Sequence, residues 1–206
     1  MLINFDKLPQ HNIKGVIHIG AHECEEKKGY NNYFKLTDDK IIWIEALKEK
    51  VDYVKNTIGN NILIFNECIH EEDNKIISFM VSNNYQSSSI LNFKTHLTQY
   101  PDIYETHRIT MRTKTLNTFY KENSLNAADY NFMNLDIQGT ELLALRGASD
   151  ILNNIDYIYT EINVDELYEG CCLVNDIDKY LETFGFKRVI TEMTSHGWGD
   201  AFYSKH

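Results

Sequence analysis

Small and acidic residues stand directly after the apolar, β-branched runs of this sequence. The first run ends in Gly20-Ala21-His22, and the second ends in Glu45, 25 positions after Gly20. A carboxylate at such a place accepts hydrogen bonds from both hydroxyls of a ribose, so Glu45 predicts a nucleoside site. Gly20 stands without the G-x-G-x-x-G spacing that lets backbone amides close on phosphate groups.

Three later apolar runs end in further polar residues, namely Glu67-Cys68, Asp136-Ile137-Gln138 and Glu161-Ile162-Asn163. Ligands of open α/β sheets bind outside the carboxyl ends of the strands, where these residues would meet. Carboxylates at four of the five ends suit a cationic ligand better than a phosphate. S-adenosylmethionine carries a ribose, a sulfonium and an ammonium group but no phosphate, and it fits this pattern.

The candidate residues divide by role. The cofactor site is assigned to Gly20, Ala21, His22, Glu45, Ala46, Cys68, Asp136 and Gln138. An alcohol attacks a methyl group well only as its proton leaves, which requires a general base or a metal. The catalytic candidates are Asp136, Glu161 and His96, and the acceptor-binding candidates are Ser88, Asn163 and Tyr168.

A metal-assisted reaction remains open as an alternative at this stage. Asp136, Glu161 and Asn163 would supply three oxygen ligands to a divalent cation such as Mg²⁺. Carboxylates beside a sulfonium group are equally explained without a metal ion.

The order of the elements predicts an α/β fold. Strands and helices alternate, which favours a parallel sheet covered on both faces. The predicted strands are "GVIHIG", "KIIWIEA", "NILIFNECI", "KIISFMVS", "RITMRTKT", "YNFMNLDI" and "IDYIYTEI", with a closing hairpin of "FKRVITEM" and "GDAFYSK". The predicted helices are "ECEEKKGYNNYFKL", "LKEKVDYVKNTI", "LNTFYKENS", "GTELLALRGASDIL" and "VNDIDKYLETFG", with a short helix before Pro101.

Composition narrows the classes of protein. The 206 residues fit one domain, spanning residues 1–206, and the formal charge of −10 without a basic patch argues against a nucleic-acid partner. No run approaches the roughly 20 apolar residues of a membrane span, and no signal peptide is predicted, so we expect a cytoplasmic protein. Its four cysteines form no C-x-x-C pair and are expected to be reduced thiols. No feature specifies an oligomeric state.

The chain resembles the FkbM-type methyltransferases, a branch of the class I S-adenosylmethionine-dependent enzymes. The similar segments run in family order over residues 14–204 and include "VIHIGAHECEE", "IIWIEA", "SNNYQSSSIL", "MRTKTLNTF", "NFMNLDIQGTELLALRGA", "YIYTEINVDELYEG", "YLETFGFKRV" and "WGDAFY". Many family members have Asp at position 18 and Gly at position 24, where this chain has His18 and Cys24.

The resemblance implies a Rossmann-like, doubly wound and mostly parallel seven-stranded sheet with a reversed last strand and helices on both faces. It also implies methyl transfer, usually to a hydroxyl oxygen, with sugars and natural products among the family's substrates. Gly20, Ala21 and Glu45 match the cofactor-binding motifs, and Asp136 matches the acidic residue near the methionine end. We therefore expect a sugar, glycan or small-molecule acceptor.

Three other classes of function remain as alternatives. Glu45 permits an NAD-dependent oxidoreductase, although the single-glycine loop argues against one. A non-catalytic binding protein on a methyltransferase fold would retain affinity without turnover. A nucleic-acid methyltransferase is disfavoured by the negative charge and by the lack of a Pro-Pro-Tyr type motif.

Overall fold

A seven-stranded sheet forms the centre of the structure, a computed structural model that describes residues 1–9, 12–59 and 61–205. In chain order the strands of the whole structure are β1 (Val16–Ile19), β2 (Ile41–Glu45), β3 (Leu63–Asn66), β4 (Cys68–Ile69), β5 (Ile76–Ser82), β6 (Glu105–Lys114), β7 (Phe132–Leu135), β8 (Tyr157–Asn163), β9 (Lys187–Met193) and β10 (Trp198–Ser204). The large sheet has the order β3-β2-β1-β7-β8-β10-β9. Strand β10 runs antiparallel to both of its neighbours, whereas β3, β2, β1, β7 and β8 are parallel. The predicted sheet with a reversed last strand is therefore confirmed.

Helices cover both faces of this sheet. They are α1 (Lys27–Tyr33), α2 (Lys48–Thr57), α3 (His96–Gln99), α4 (Leu116–Glu122), α5 (Glu141–Arg146) and α6 (Val174–Glu182). Helices α1 and α2 share one hydrophobic cluster with Trp43, while α4, α5 and α6 share another with Ile42. Neighbouring residues of one strand thus face opposite cores, which explains why the parallel strands read as continuous apolar runs.

A second, three-stranded sheet has the order β4-β6-β5. It corrects one prediction, because "NILIFNECI" is not a single strand. The chain leaves the large sheet after Asn66, and Cys68 and Ile69 pair in parallel with Thr113 and Lys114 of β6. Strands β5 and β6 form an antiparallel ribbon.

Two helices are much shorter than predicted. Helix α1 begins only at Lys27, because His22 and Cys24 have φ angles of +42° and +60°, which a helix does not allow. Helix α5 ends at Arg146, and a separate 3₁₀ turn follows at Ile151–Asn154. The described helices include none long and apolar enough to cross a membrane.

The sheet brings the predicted site together at one edge. The carboxyl ends of parallel strands lie side by side, and antiparallel β10 begins at this same edge, where Trp198 pairs with Asn163 at the end of β8. The segment after β5 folds back, since Ser89 pairs with Met80 and its Oγ donates to the carbonyl of Gln138 at 2.8 Å. This segment therefore covers the edge from above.

Candidate active site

A cavity of about 470 Å³ opens at this edge of the sheet. That volume lies within the usual range for small-molecule sites. The predicted site residues on its wall are Gly20, Ala21, His22, Glu45, Ala46, Cys68, Ser88, His96, Asp136, Gln138 and Glu161. The structure therefore brings together residues from five strand ends and from the segment that covers them.

Gly20 stands where the loops after β1 and β7 cross. Its φ is +87°, and a Cβ atom at this position would lie 1.8 Å from the carbonyl oxygen of Asp136. The absence of a side chain thus lets the two loops touch. We expected a close approach between Gly20 and a cofactor, and the structure adds this contact with the neighbouring loop.

Glu45 is held by the backbone on both sides. Its Oε2 accepts from the N–H of His22 and its Oε1 from the N–H of Leu47, both at 2.8 Å. Burial raises the pKa of this carboxyl, and the two backbone donors oppose that shift. Each carboxylate oxygen has a second lone pair, so Glu45 can still accept a ligand hydroxyl.

Gln138 connects the two carboxylates predicted to be catalytic. Its Nε2 donates to Asp136 Oδ1 at 2.8 Å and to Glu161 Oε2 at 2.9 Å. Its Oε1 accepts from the hydroxyl of Tyr168 at 2.6 Å, which fixes the direction of the amide. Glu141 supports the turn from below, since its Oε1 accepts from the backbone N–H groups of Ile137 and Gly139.

Both connected carboxyls have pKa values above their ordinary values. Asp136 is accessible from the cavity but lies deep in the protein, and burial together with the charge of Asp200 raises its pKa to about 6. Burial and the charges of Asp136, Glu141 and Asp200 raise the pKa of Glu161 well above its ordinary value. A bound cation would lower both pKa values, because it stabilises the charged form.

His96 contributes a neutral imidazole to the opposite wall. It is 4% exposed and stacks on Phe93 with ring centroids 4.3 Å apart. Burial lowers the pKa of its ring, and its Nδ1 is buried without a hydrogen-bond partner among the described residues. A neutral imidazole with an unused nitrogen is suited to accept a proton.

Tyr168 and Asn163, both predicted to bind the acceptor, are not among the described residues that line the cavity. Tyr168 is fully buried behind it, where its hydroxyl holds Gln138 and also reaches the carbonyl of Ser87 at 3.1 Å. Asn163 is fully buried too, and its Nδ2 and Oδ1 lack hydrogen-bond partners among the residues that the structure describes. The acceptor-binding role of both residues stays a prediction.

The two positions that differ from the family pattern are His18 and Cys24, and the structure shows the surroundings of each. His18 lies in β1 beneath the cavity, with its Nδ1 3.0 Å from the Tyr30 hydroxyl, and burial lowers its pKa to about 3. It is therefore neutral at physiological pH, unlike an aspartate. Cys24 has a φ of +60°, a left-handed conformation that glycine adopts without strain.

The cavity wall is strongly acidic. Its carboxylates are Glu25, Glu26, Glu45, Glu67, Asp136, Glu161 and Asp200, and no Lys or Arg side chain is among the described residues that line it. Glu67 is ion-paired with Lys114, and Glu25 contacts His22. Glu26 and Asp200 were not predicted to be site residues. The sequence gives one indication for Asp200. It lies two positions after Trp198, so both side chains are on one face of a strand.

An apolar slot lies beside Glu45. Leu47, Cys68 and Phe79 are buried together in one hydrophobic cluster, and all three line the cavity. Phe79 comes from β5, so the second sheet supplies part of the wall. A flat apolar group next to a ribose-binding carboxylate would fit here.

The proposed metal-ligating role of Asp136, Glu161 and Asn163 stays a prediction. Asn163 is absent from the described cavity wall, and Asp136 and Glu161 are already linked by an amide donor. The described part of the chain contains no group of three or more His, Cys, Asp or Glu residues arranged to hold a metal. We therefore derive no step through a metal ion.

A known family model matches most of the chain. The sequence model of the methyltransferase FkbM domain matches residues 18–188. The 2-O-methyltransferase NoeI of Sinorhizobium fredii is 34% identical over 84 residues, which are 41% of this chain and 34% of that protein. The matched part is therefore only about a third of that relative's length.

Among solved structures, the methyltransferase FkbM from Methylobacillus flagellatus is similar, with a TM-score of 0.58. The similarity covers 92% of this chain and 43% of that chain at 13% sequence identity. At this identity it supports the fold alone.

Proposed function

The chain belongs to the FkbM methyltransferase family, and from that premise we propose that it transfers a methyl group from S-adenosylmethionine to a hydroxyl of a sugar, glycan or small-molecule acceptor. The observation that carries the proposal is the acidic cavity at the Gly20–Glu45 strand ends. The name of the relative NoeI, a 2-O-methyltransferase, supports oxygen as the methylated atom.

The residues present fit this cofactor. Glu45 would accept from the ribose hydroxyls, and the apolar slot of Leu47, Cys68 and Phe79 would take the adenine ring. Asp136, beside Gly20, would balance positive charge at the methionine end. When bound, S-adenosylmethionine supplies an activated methyl group on a sulfonium.

The chain's own residues would orient the acceptor and remove its proton. Positioning contributes much of the rate in such a transfer, and a positioned base adds a typical factor of about 10² to 10⁴. We assign the base to His96, because its imidazole is neutral and lines the cavity. Asp136 and Glu161 are the other acid–base candidates, and Ser88 would contact the acceptor.

The cavity's charge counts against an NAD-dependent oxidoreductase. A dinucleotide brings a pyrophosphate, which needs backbone amides or basic side chains around it. The described wall offers seven carboxylates and no Lys or Arg. Repulsion between these groups and a pyrophosphate favours the sulfonium cofactor.

The test uses methyl-labelled S-adenosylmethionine and a panel of methyl glycosides as acceptors. We expect label in a base-stable methyl ether, and His96→Ala should slow transfer at least about 100-fold while cofactor affinity stays unchanged. His107→Ala, on the exposed face of β6, is the matched control. Full activity of the His96 variant would remove this residue as the base, and a wild-type protein that binds no S-adenosylmethionine would refute the proposal.

A further inference from the structure

We infer that the acceptor carries a protonated amine, and that Glu161 and Asp200 form its binding site. This inference rests on the proposed methyl transfer and specifies its substrate class, an amino sugar or a similar amino alcohol. Its main support is a pair of buried carboxylates on adjacent strands, which lie directly opposite one another at the cavity wall.

Glu161 of β8 and Asp200 of β10 are register partners, and both line the cavity. Side chains opposite one another in an antiparallel pair have Cβ atoms about 5 Å apart, and like charges there are destabilising. Both residues are buried, at 6% and 5% exposure. The fold therefore maintains an electrostatically unfavourable pair at this point.

Each carboxylate keeps one oxygen unengaged. Gln138 donates to Oε2 of Glu161, while the Tyr159 hydroxyl and the Leu2 N–H both donate to Oδ2 of Asp200. Oε1 of Glu161 and Oδ1 of Asp200 have no partner among the described residues. An ammonium group has three N–H donors and a positive charge, so it can satisfy both oxygens and remove their repulsion.

The cofactor alone does not balance the charge of this cavity. Glu26, Asp136, Glu161 and Asp200 form no ion pair with a Lys or Arg of the described chain. The amino group of Met1 also lines the cavity and lowers the pKa of Glu26 and of Asp136, and together with the two positive groups of S-adenosylmethionine it balances at most three of these four. Asp136 and Glu26 are the pair on the cofactor side, because they follow β7 and β1, whereas Glu161 and Asp200 lie one and two strands beyond β7.

Neighbouring side chains also have unused binding capacity. His96, 4% exposed and on the cavity wall, has a buried Nδ1 without a partner among the described residues. Trp198 precedes Asp200 by two positions on β10, and its Nε1 donates to the Tyr100 hydroxyl at 2.7 Å. An indole face beside two carboxylates suits a cation or the apolar face of a sugar ring.

The test compares three ligands that differ only at carbon 6 of one sugar: methyl 6-amino-6-deoxyglucoside, methyl glucoside and methyl glucuronide. Each is titrated calorimetrically into the full chain with S-adenosylhomocysteine present. We expect the amine to bind at least about tenfold more tightly than the parent glucoside and the glucuronide to bind most weakly. Equal binding of amine and parent, tighter binding of the glucuronide, or no binding of the three overturns the inference.

Asp200→Asn preserves the shape of the side chain and should reduce the amine preference to less than about threefold. Glu67→Gln is the matched control, because Glu67 lines the same cavity but is ion-paired with Lys114, and this variant should keep the amine preference.

A second measurement applies if Asp200→Asn does not fold. The amine preference of the wild type should decrease as the salt concentration rises from about 0.05 M to about 0.5 M, and a salt-independent preference contradicts the inference. A wild-type protein that binds S-adenosylmethionine but shows no amine preference refutes this inference alone, whereas absent cofactor binding refutes the proposed function.

Discussion

At the scale of single residues, Glu45 combines a structural role with its proposed role in cofactor binding. Its carboxylate already accepts two backbone N–H groups, so it reaches the cavity in a fixed orientation. A ribose would then meet an acceptor that needs no reorganisation. This preorganisation is what makes the position sensitive to a small chemical change.

We expect Glu45→Gln to weaken S-adenosylmethionine binding roughly 10- to 100-fold, the scale of one hydrogen bond to a charged group. Calorimetric titration measures the affinity, and a thermal melt separates it from any loss of stability caused by placing an amide NH₂ against a backbone donor. Glu67→Gln serves as the control, since it removes a charge from the same cavity wall. Unchanged affinity in the Glu45 variant would remove this residue from the cofactor site.

Asp136 should make cofactor binding depend on pH. Its pKa of about 6 means that the carboxyl is neutral below this pH and negative above it. A cationic ligand prefers the negative form, so affinity for S-adenosylmethionine should rise as the pH increases from 5 to 8. Asp136→Asn should flatten this profile, and a variant profile as steep as that of the wild type would assign the titration to another group.

The same carboxyl should act in the opposite sense on the stability of the free protein. Its folded pKa lies above its ordinary value of 3.8, so the folded state holds its proton more tightly than the unfolded state does. The free energy of unfolding should therefore fall as the pH rises from about 4 through 6. Glu161 and Glu141, whose pKa values burial also raises, add to this trend, and thermal melts with and without cofactor measure it.

At the scale of elements, the contact between the loops after β1 and β7 depends on Gly20. Gly20→Ala combines a left-handed backbone with a Cβ that would lie 1.8 Å from the Asp136 carbonyl oxygen. Gly185 offers a matched control, because its φ of +84° is almost the same and nothing lies within 4 Å of its missing Cβ. Both substitutions place alanine in a left-handed conformation, but only Gly20→Ala adds a steric clash.

We expect Gly185→Ala to lower the free energy of unfolding by about 1 to 2 kcal/mol, the cost of a left-handed alanine. Gly20→Ala should cost at least about 2 kcal/mol more and should also abolish cofactor binding, because the two loops that carry Ala21 and Asp136 must separate. Urea denaturation gives both values. Equal losses in the two variants would show that the loops tolerate the added carbon.

At the scale of the whole molecule, we expect the negative charge of the cavity to select cationic ligands over anionic ones. The chain has a net charge of −10, and seven of its carboxylates line one cavity. Titration with S-adenosylmethionine, S-adenosylhomocysteine and NAD⁺ should give micromolar binding of the first two and none of the third. Tight NAD⁺ binding would contradict this electrostatic argument.

Methyl transfer should also continue unchanged in a chelator such as EDTA. The reason is that the described residues contain no group of three or more His, Cys, Asp or Glu side chains arranged to hold a metal ion. Adding Mg²⁺ back after chelation is the control. Loss of activity in EDTA that Mg²⁺ restores would bring back the metal-assisted alternative.

Local pattern and chain order predicted the parallel sheet and eleven residues of the cavity wall, and the family resemblance implied the reversed last strand. The prediction from pattern was possible because strands buried on both faces read as apolar runs, and their carboxyl ends must meet at one edge. Glu45, Asp136 and Gln138 were identified in this way from their places after such runs. These are properties of local pattern and chain order.

Which side chains are in contact depends on the tertiary structure and could not be predicted from local sequence. The split of "NILIFNECI" depends on pairing between Cys68 and Thr113, 45 residues apart, and no local pattern encodes it. The same holds for the opposition of Glu161 and Asp200, because register across β8 and β10 is set by packing of the whole sheet. The burial of His18 and the contact of Gly20 with Asp136 likewise depend on residues that are distant in the chain and adjacent in space.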